Sequence, residues 1–126
     1  PGGPRFSLSH SDAVAVFAFS AVREVGIDVE HVRPVPEADS ILGRWFAEAE
    51  RRAWITSDRG DGAFVRLWTR REAYLKALGV GFSEDGAPRE MDPSRWEVHD
   101  LEPAPGYLGA LVVERSGAEE SRRARP

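Results

Sequence analysis

Between Ala63 and Leu78 the apolar side chains of Phe64, Leu67, Trp68, Tyr74, Leu75 and Leu78 recur at helical spacing, so they share one stripe of a helix. Asp61 stands where an N-terminal cap belongs, and Gly79 where the chain leaves a helix through a left-handed residue. What flanks this helix sets the fold class. Upstream, Arg5–Leu8, Ala13–Ala21 and Glu24–Glu30 read as strands, with Ser9–Asp12 as a polar turn. Ser20–Arg23 is short enough to join the second and third of these as an antiparallel hairpin. Ala13–Ala21 lacks clean alternation, which suggests a strand covered on both faces.

His31–Pro36 carries Pro34 and Pro36 and must be a loop, leading to Asp39 or Ser40 as a helix cap. Ile41–Ile55 forms one helix or two short ones, and Ser57–Gly62 is a break. Downstream, Gly81–Pro93 reads as loop. Arg95–Leu101 and Tyr107–Glu114 read as strands joined at Pro103–Gly106, and the charged stretch from Ser116 onward as a disordered tail. Strands, then helices, then strands predict an α+β fold, an antiparallel sheet packed against the long helix. The expected domain is residues 1–115, with 116–126 as tail.

The chain's 126 residues suit one domain with one core. It contains no cysteine, which removes disulfides, thiolate metal sites and a thiol nucleophile from consideration. A net charge of −4 argues against a nucleic-acid binder, since phosphate neutralisation wants a basic surface. The longest apolar run, Ala13–Phe19, is too short to span a bilayer. With no signal-like segment, the cytoplasm is the expected location.

Three segments could carry chemistry. In Gly26-Ile27-Asp28-Val29-Glu30, strand alternation puts Asp28 and Glu30 on one face, with Ile27 and Val29 directed into the core. Adjacent carboxylates repel unless a cation separates them, which suits a hard ion such as Mg²⁺. A bare Asp-x-Glu is more simply an ordinary solvent-facing strand end. In Trp68-Thr69-Arg70-Arg71-Glu72-Ala73-Tyr74-Leu75-Lys76-Ala77, Glu72 and Lys76 are four apart and could pair along the helix, while Arg70 and Arg71 could equally be a solvated face. In Ser9-His10-Ser11, a histidine between hydroxyls could bind phosphate or act as a base, though a lone histidine is more often structural. Neither a G-x-S-x-G nucleophile elbow nor a Walker phosphate loop is present.

In this order and spacing, Ser9-His10-Ser11, Gly26–Glu30 and Trp68–Ala77 together resemble the 4′-phosphopantetheinyl transferase superfamily, and its Sfp group more than the short holo-carrier-protein synthases. The match runs from about Phe6 to Phe82 and corresponds to one of the two related halves of Sfp-group enzymes. The resemblance implies transfer of the phosphopantetheine arm of coenzyme A to a serine of an apo acyl or peptidyl carrier protein, releasing 3′,5′-ADP. On the matching positions, Asp28, Glu30 and Glu72 would hold Mg²⁺, and Glu72 would serve as base. Ser9, His10 and Arg71 would bind coenzyme A, and Lys76 would neutralise its pyrophosphate or protonate the leaving group. Arg71 stands where the family usually has lysine, and Ser7 where it usually has asparagine.

A single repeat offers half of a between-repeat cleft, so a homo-oligomer is expected, a trimer ahead of a dimer. The alternatives are a fragment completed by another chain, and a non-catalytic module that binds coenzyme A or a carrier. Arg44, Arg51 and Arg52 are the expected contacts to an acidic carrier surface, or else a solvated helix face.

Overall fold

The computed structural model describes residues 4–79 and 90–115. In chain order the elements are β1 (Arg5–Ser11), β2 (Val14–Ser20), β3 (Val25–His31), α1 (Ala38–Trp45), α2 (Glu48–Thr56), α3 (Asp61–Leu78), β4 (Trp96–Ala104) and β5 (Tyr107–Glu114). The α+β class therefore holds. The expected tail at 116–126 lies outside the described residues, as does most of the loop expected at Gly81–Pro93. Among the described residues, no helix is long and apolar enough to cross a membrane.

The strands form two sheets, an antiparallel β1–β2 hairpin and an antiparallel sheet in the order β3-β5-β4. The hairpin expected between β2 and β3 is not made. β2 pairs with β1, and β3 pairs with β5 from Val25↔Val113 to His31↔Tyr107. The tight turn falls at Asp12-Ala13, where Asp12 adopts φ 48°, a left-handed conformation that aspartate tolerates better than most residues. Ser20–Arg23 folds instead around the Ser20 hydroxyl, which accepts the N–H groups of Val22 and Arg23.

β1 is also longer than expected, because Ser9 and Ser11 belong to the strand and not to a turn. The hydroxyls of Ser7, Ser9 and Ser11 accept the N–H groups of Ile27, Val29 and His31 at 3.0, 3.1 and 3.2 Å. Three alternate serines thus satisfy the edge of β3 that β5 leaves free, a task normally given to backbone carbonyls.

The expectation that β2 is covered on both faces is overturned. Phe17 is 65% and Phe19 62% exposed, because the hairpin turns only its other face toward the rest of the molecule. Phe6 lies opposite Phe19 and Leu8 opposite Phe17, so these four side chains share one exposed face.

Ile41–Ile55 resolves into two helices. The break falls at Phe46-Ala47, where the Glu50 carboxylate accepts the Ala47 N–H at 2.8 Å and starts α2. α1 begins at Ala38 without a side-chain cap, and Asp39 instead accepts the Trp54 indole N–H at 2.6 Å. α3 begins at Asp61, with Gly60 as its cap, and ends as expected at Gly79, φ 77°.

The core lies on either side of α3. Leu42, Phe46, Trp54, Phe64, Val65 and Leu67 pack the helical layer. Ala73, Tyr74, Ala77, Trp96, Ala110 and Val112 join α3 to the three-stranded sheet. The contact is closest at Gly26, where a β-carbon would stand 1.9 Å from the Ala73 carbonyl oxygen and 2.5 Å from the Ala77 nitrogen. Gly26 is therefore obligatory for the α3–β3 approach.

Candidate functional site

The side of β3 that carries Gly26 faces α3, and strand alternation gives Asp28 and Glu30 the same side. Ile27 and Val29 occupy the opposite side and are buried too, as expected. A solvent-facing strand end does not describe Asp28, which is 4% exposed. Its Oδ1 accepts hydrogen bonds from the Ser9 hydroxyl at 3.1 Å and from the Lys76 ammonium at 3.4 Å. Its Oδ2 is buried without a hydrogen-bond partner.

Burial pushes the Asp28 carboxyl up to about 7. Lys76 and the Ser9 hydrogen bond pull the other way, while Glu30 and Glu72 push it further up. Glu72, half-buried on α3, is also raised by burial, with Lys76 opposing and Glu30 adding. Its Oε2 is the second buried carboxylate oxygen without a partner. Glu30 lies toward the mouth of the site, 3.7 Å from Arg33. Asp28 and Glu72 thus both feel the Glu30 charge, and each holds a buried oxygen with no hydrogen-bond partner in the protein. Among the described residues, no three His, Cys, Asp or Glu side chains already converge as a ready metal cage.

Lys76 does not pair along the helix with Glu72. It reaches across to β1 and β3, donating to the carbonyls of Leu8 at 3.2 Å and Ile27 at 3.0 Å as well as to Asp28. Helical spacing offers the i,i+4 partner, but the close approach at Gly26 brings better acceptors within reach.

The other expected site residues are more scattered. His10 is exposed on β1, and alternation places it on the face opposite Ser9 and the β3 edge. Arg71 is 3% exposed in the α2–α3 contact, its guanidinium 3.4 Å from Glu50 and over the Phe46 ring. Burial raises the Glu50 carboxyl, and Arg71 opposes that rise. Arg70 forms a bidentate pair with Asp100 at 2.8 and 2.6 Å, fixing α3 to β4. Of the expected carrier contacts, Arg44 is exposed over Trp45, Arg51 donates to the Phe46 carbonyl, and Arg52 pairs with Glu48.

Sequence reasoning missed the serine ladder and the Glu50–Arg71 pair. The ladder had a visible signal, serine at every second position of β1. The pair had none, since its members are 21 residues apart. An apolar hollow lined by Ile41, Phe64, Val65 and Trp68 opens directly beside Glu30.

Residues 24–120 match the sequence pattern described as the 4′-phosphopantetheinyl transferase superfamily. The chain is 32% identical to the 4′-phosphopantetheinyl transferase HetI of Nostoc over 88% of its own length and 52% of that protein's. It is 30% identical to the 4′-phosphopantetheinyl transferase psf-1 of Bacillus pumilus, covering 91% of this chain and 55% of the relative. The chain thus spans about half the length of these curated relatives. The fold resembles the crystal structure of Thermotoga maritima holo-[acyl-carrier-protein] synthase, with a TM-score of 0.53 at 24% identity, covering 73% of this chain and 62% of that one. Because the matched pattern takes in both β3 with its carboxylates and the whole of α3, the chain belongs to the 4′-phosphopantetheinyl transferase superfamily.

Proposed function

We propose that this chain transfers the 4′-phosphopantetheine arm of coenzyme A to a serine of an apo carrier protein, using the carboxylates at the β3–α3 contact. The observation that carries this reading is the pair of buried, unpartnered oxygens, Asp28 Oδ2 and Glu72 Oε2. Burying carboxylate oxygens without partners is costly, and a divalent cation would offset that cost. Asp28, Glu30 and Glu72 are the residues that would hold Mg²⁺, two of them through these unpartnered oxygens. Bound there, Mg²⁺ would neutralise charge on the pyrophosphate of coenzyme A.

The chemistry is a phosphoryl-type substitution. The carrier serine oxygen forms a bond to the phosphorus that bears the pantetheine arm. The bond from that phosphorus to the bridging oxygen breaks, and 3′,5′-ADP leaves. Glu72 takes the serine proton. Arg71 supports the site from within the α2–α3 contact, and His10 is the donor-binding residue farther along β1. The cytoplasm, where coenzyme A and apo carriers meet, is the compartment this reading assigns.

The exposed face of Phe6, Leu8, Phe17 and Phe19 is proposed to pack against a second copy in a homo-oligomer, a trimer ahead of a dimer. The test of the reaction is release of 3′,5′-ADP, expected only when coenzyme A, Mg²⁺ and an apo carrier are all present. Release that is independent of the carrier, or none at all, overturns it.

A further inference from the structure

We propose that Asp100 and Arg70 are positioning residues for the transfer reaction: their bidentate pair fixes the angle at which α3 crosses the sheet, and so where Glu72 stands relative to Asp28. The inference rests on the metal-site reading above and adds to it a carboxylate that the mechanism leaves unused.

Two strand pairings put the aspartates in one row. Asp28 on β3 and Asp100 on β4 both lie opposite Ala110 of the central strand β5, so they share the face that α3 covers. With strands about 5 Å apart, the row spans about 10 Å from one aspartate to the other. α3 sends a cation to each end of it, Lys76 to Asp28 at 3.4 Å and Arg70 to Asp100 at 2.8 and 2.6 Å. Glu72 lies on the helix between those two cations.

Arg66, Arg70, Ala73 and Ala77 recur at helical spacing and form the stripe of α3 that meets the sheet. At the alanine end the helix touches β3, because Gly26 leaves room. At the arginine end long side chains span the gap to β4 and β5. A single close contact is a pivot, about which the helix could still swing across the sheet. Tyr74 against Trp96 resists that swing through apolar packing, which is non-directional, whereas a bidentate arginine–carboxylate pair fixes distance and orientation together. Arg66 reinforces this second point, donating to the carbonyls of Leu101 at 3.3 Å and Gly109 at 3.0 Å. Gly109 packs against the Asp28 backbone, where a β-carbon would stand 2.6 Å from the Asp28 carbonyl oxygen. Arg66 thus holds α3 to the part of β5 that backs Asp28.

The side chains of Arg70 and Asp100 are 38% and 37% exposed, so their pair contributes little to stability and its loss leaves the fold intact. Mn²⁺ binding, read by electron paramagnetic resonance, and urea unfolding in EDTA are compared for the 126-residue chain, Arg70→Met, Asp100→Asn, Asp100→Glu and the variant carrying both Arg70→Met and Asp100→Asn. Glu97→Gln, which removes the Arg115 pair from the same strand without touching α3, is the control. Arg70→Met and Asp100→Asn should each weaken Mn²⁺ binding about tenfold, on the scale of losing an outer partner of a metal ligand, with the urea midpoint little changed. The double variant should be no worse than either single one. Asp100→Glu keeps the carboxylate and should restore most of the affinity, and Glu97→Gln should match the parental chain. In transfer, kcat should fall about tenfold or more in Arg70→Met with the KM for coenzyme A within about twofold, because misplacing a group by about 1 Å can cost about a hundredfold. Long-range charge alone would move the two single variants in opposite directions. That outcome, unchanged Mn²⁺ affinity in both, or additive losses in the double variant overturns the positioning role alone. A parental chain that binds no Mn²⁺ overturns the metal-site reading and this inference with it.

Discussion

Gly26 of β3 lies against the Ala73 carbonyl of α3 so closely that a single added carbon would stand 1.9 Å from it. Backbone meets backbone there, so no side chain can move aside. Gly26→Ala should therefore destabilise the fold by about 3 kcal/mol or more, at or above the usual cost of overpacking. Gly43, inside α1 with open space around it, is the control. Gly43→Ala should stabilise by about 0.5–1 kcal/mol through helix propensity. Urea unfolding of both variants checks the pair.

Asp28 gives the metal-free protein a distinctive pH dependence. Its carboxyl is raised from 3.8 to about 7, so between these values the folded state holds a proton that the unfolded state has lost. Stability falls as pH rises through this window, by at most about 1.4 kcal/mol per pH unit, and levels off above the folded value. Glu72 and Glu50, both raised by burial, act in the same direction. Asp28→Asn should flatten the slope between about pH 4 and 7. Thermal melts in EDTA across that range measure it, and an unchanged slope would assign the dependence to other groups.

Much of this site could be read before the fold was known, and the reason is local. Alternation along Gly26–Glu30 puts the carboxylates on one side of a strand, and α3 announces itself through its period and its glycine cap. What stayed hidden depends on contacts distant in sequence. The β2–β3 hairpin looked natural because its connection is short, yet β3 takes β5 as its backbone partner and serine hydroxyls on its other edge. Lys76 had an acceptable partner four residues away, and only the α3–β3 approach at Gly26 explains why it reaches Asp28 instead.

Arg71 should prove a stability residue first. Arg71→Met leaves the partly buried Glu50 carboxylate in the α2–α3 contact without its guanidinium and should cost about 1–3 kcal/mol. Glu50→Gln combined with Arg71→Met should recover part of that loss. Chemical denaturation of the single and double variants tests the coupling, and strictly additive losses would contradict it.

The hairpin face supplies a test of assembly. Phe17→Glu with Phe19→Glu places charge on the exposed aromatic face without touching the serines that hold β3. Light scattering should show the parental chain as an oligomer and this variant as a monomer of unchanged secondary structure. A parental chain that is already monomeric would contradict the second-copy contact.

Within the carboxylate set, Asp28→Ala and Glu72→Ala should each reduce transfer by about a thousandfold or more, on the scale of losing a principal transition-state charge stabiliser. Glu30→Ala should cost about tenfold, since water can replace one of several oxygen ligands on Mg²⁺. Circular dichroism confirms that the variants fold, and comparable losses at all three positions would contradict the ranking.

The most direct measurement is the mass of an apo carrier protein after incubation with this chain, coenzyme A and Mg²⁺. The account predicts that the carrier gains one phosphopantetheine at its serine, that EDTA prevents the gain, and that Asp28→Ala abolishes it. A gain that survives both EDTA and loss of the Asp28 carboxylate would contradict the account, as would a carrier left unmodified by this chain with coenzyme A and Mg²⁺ present.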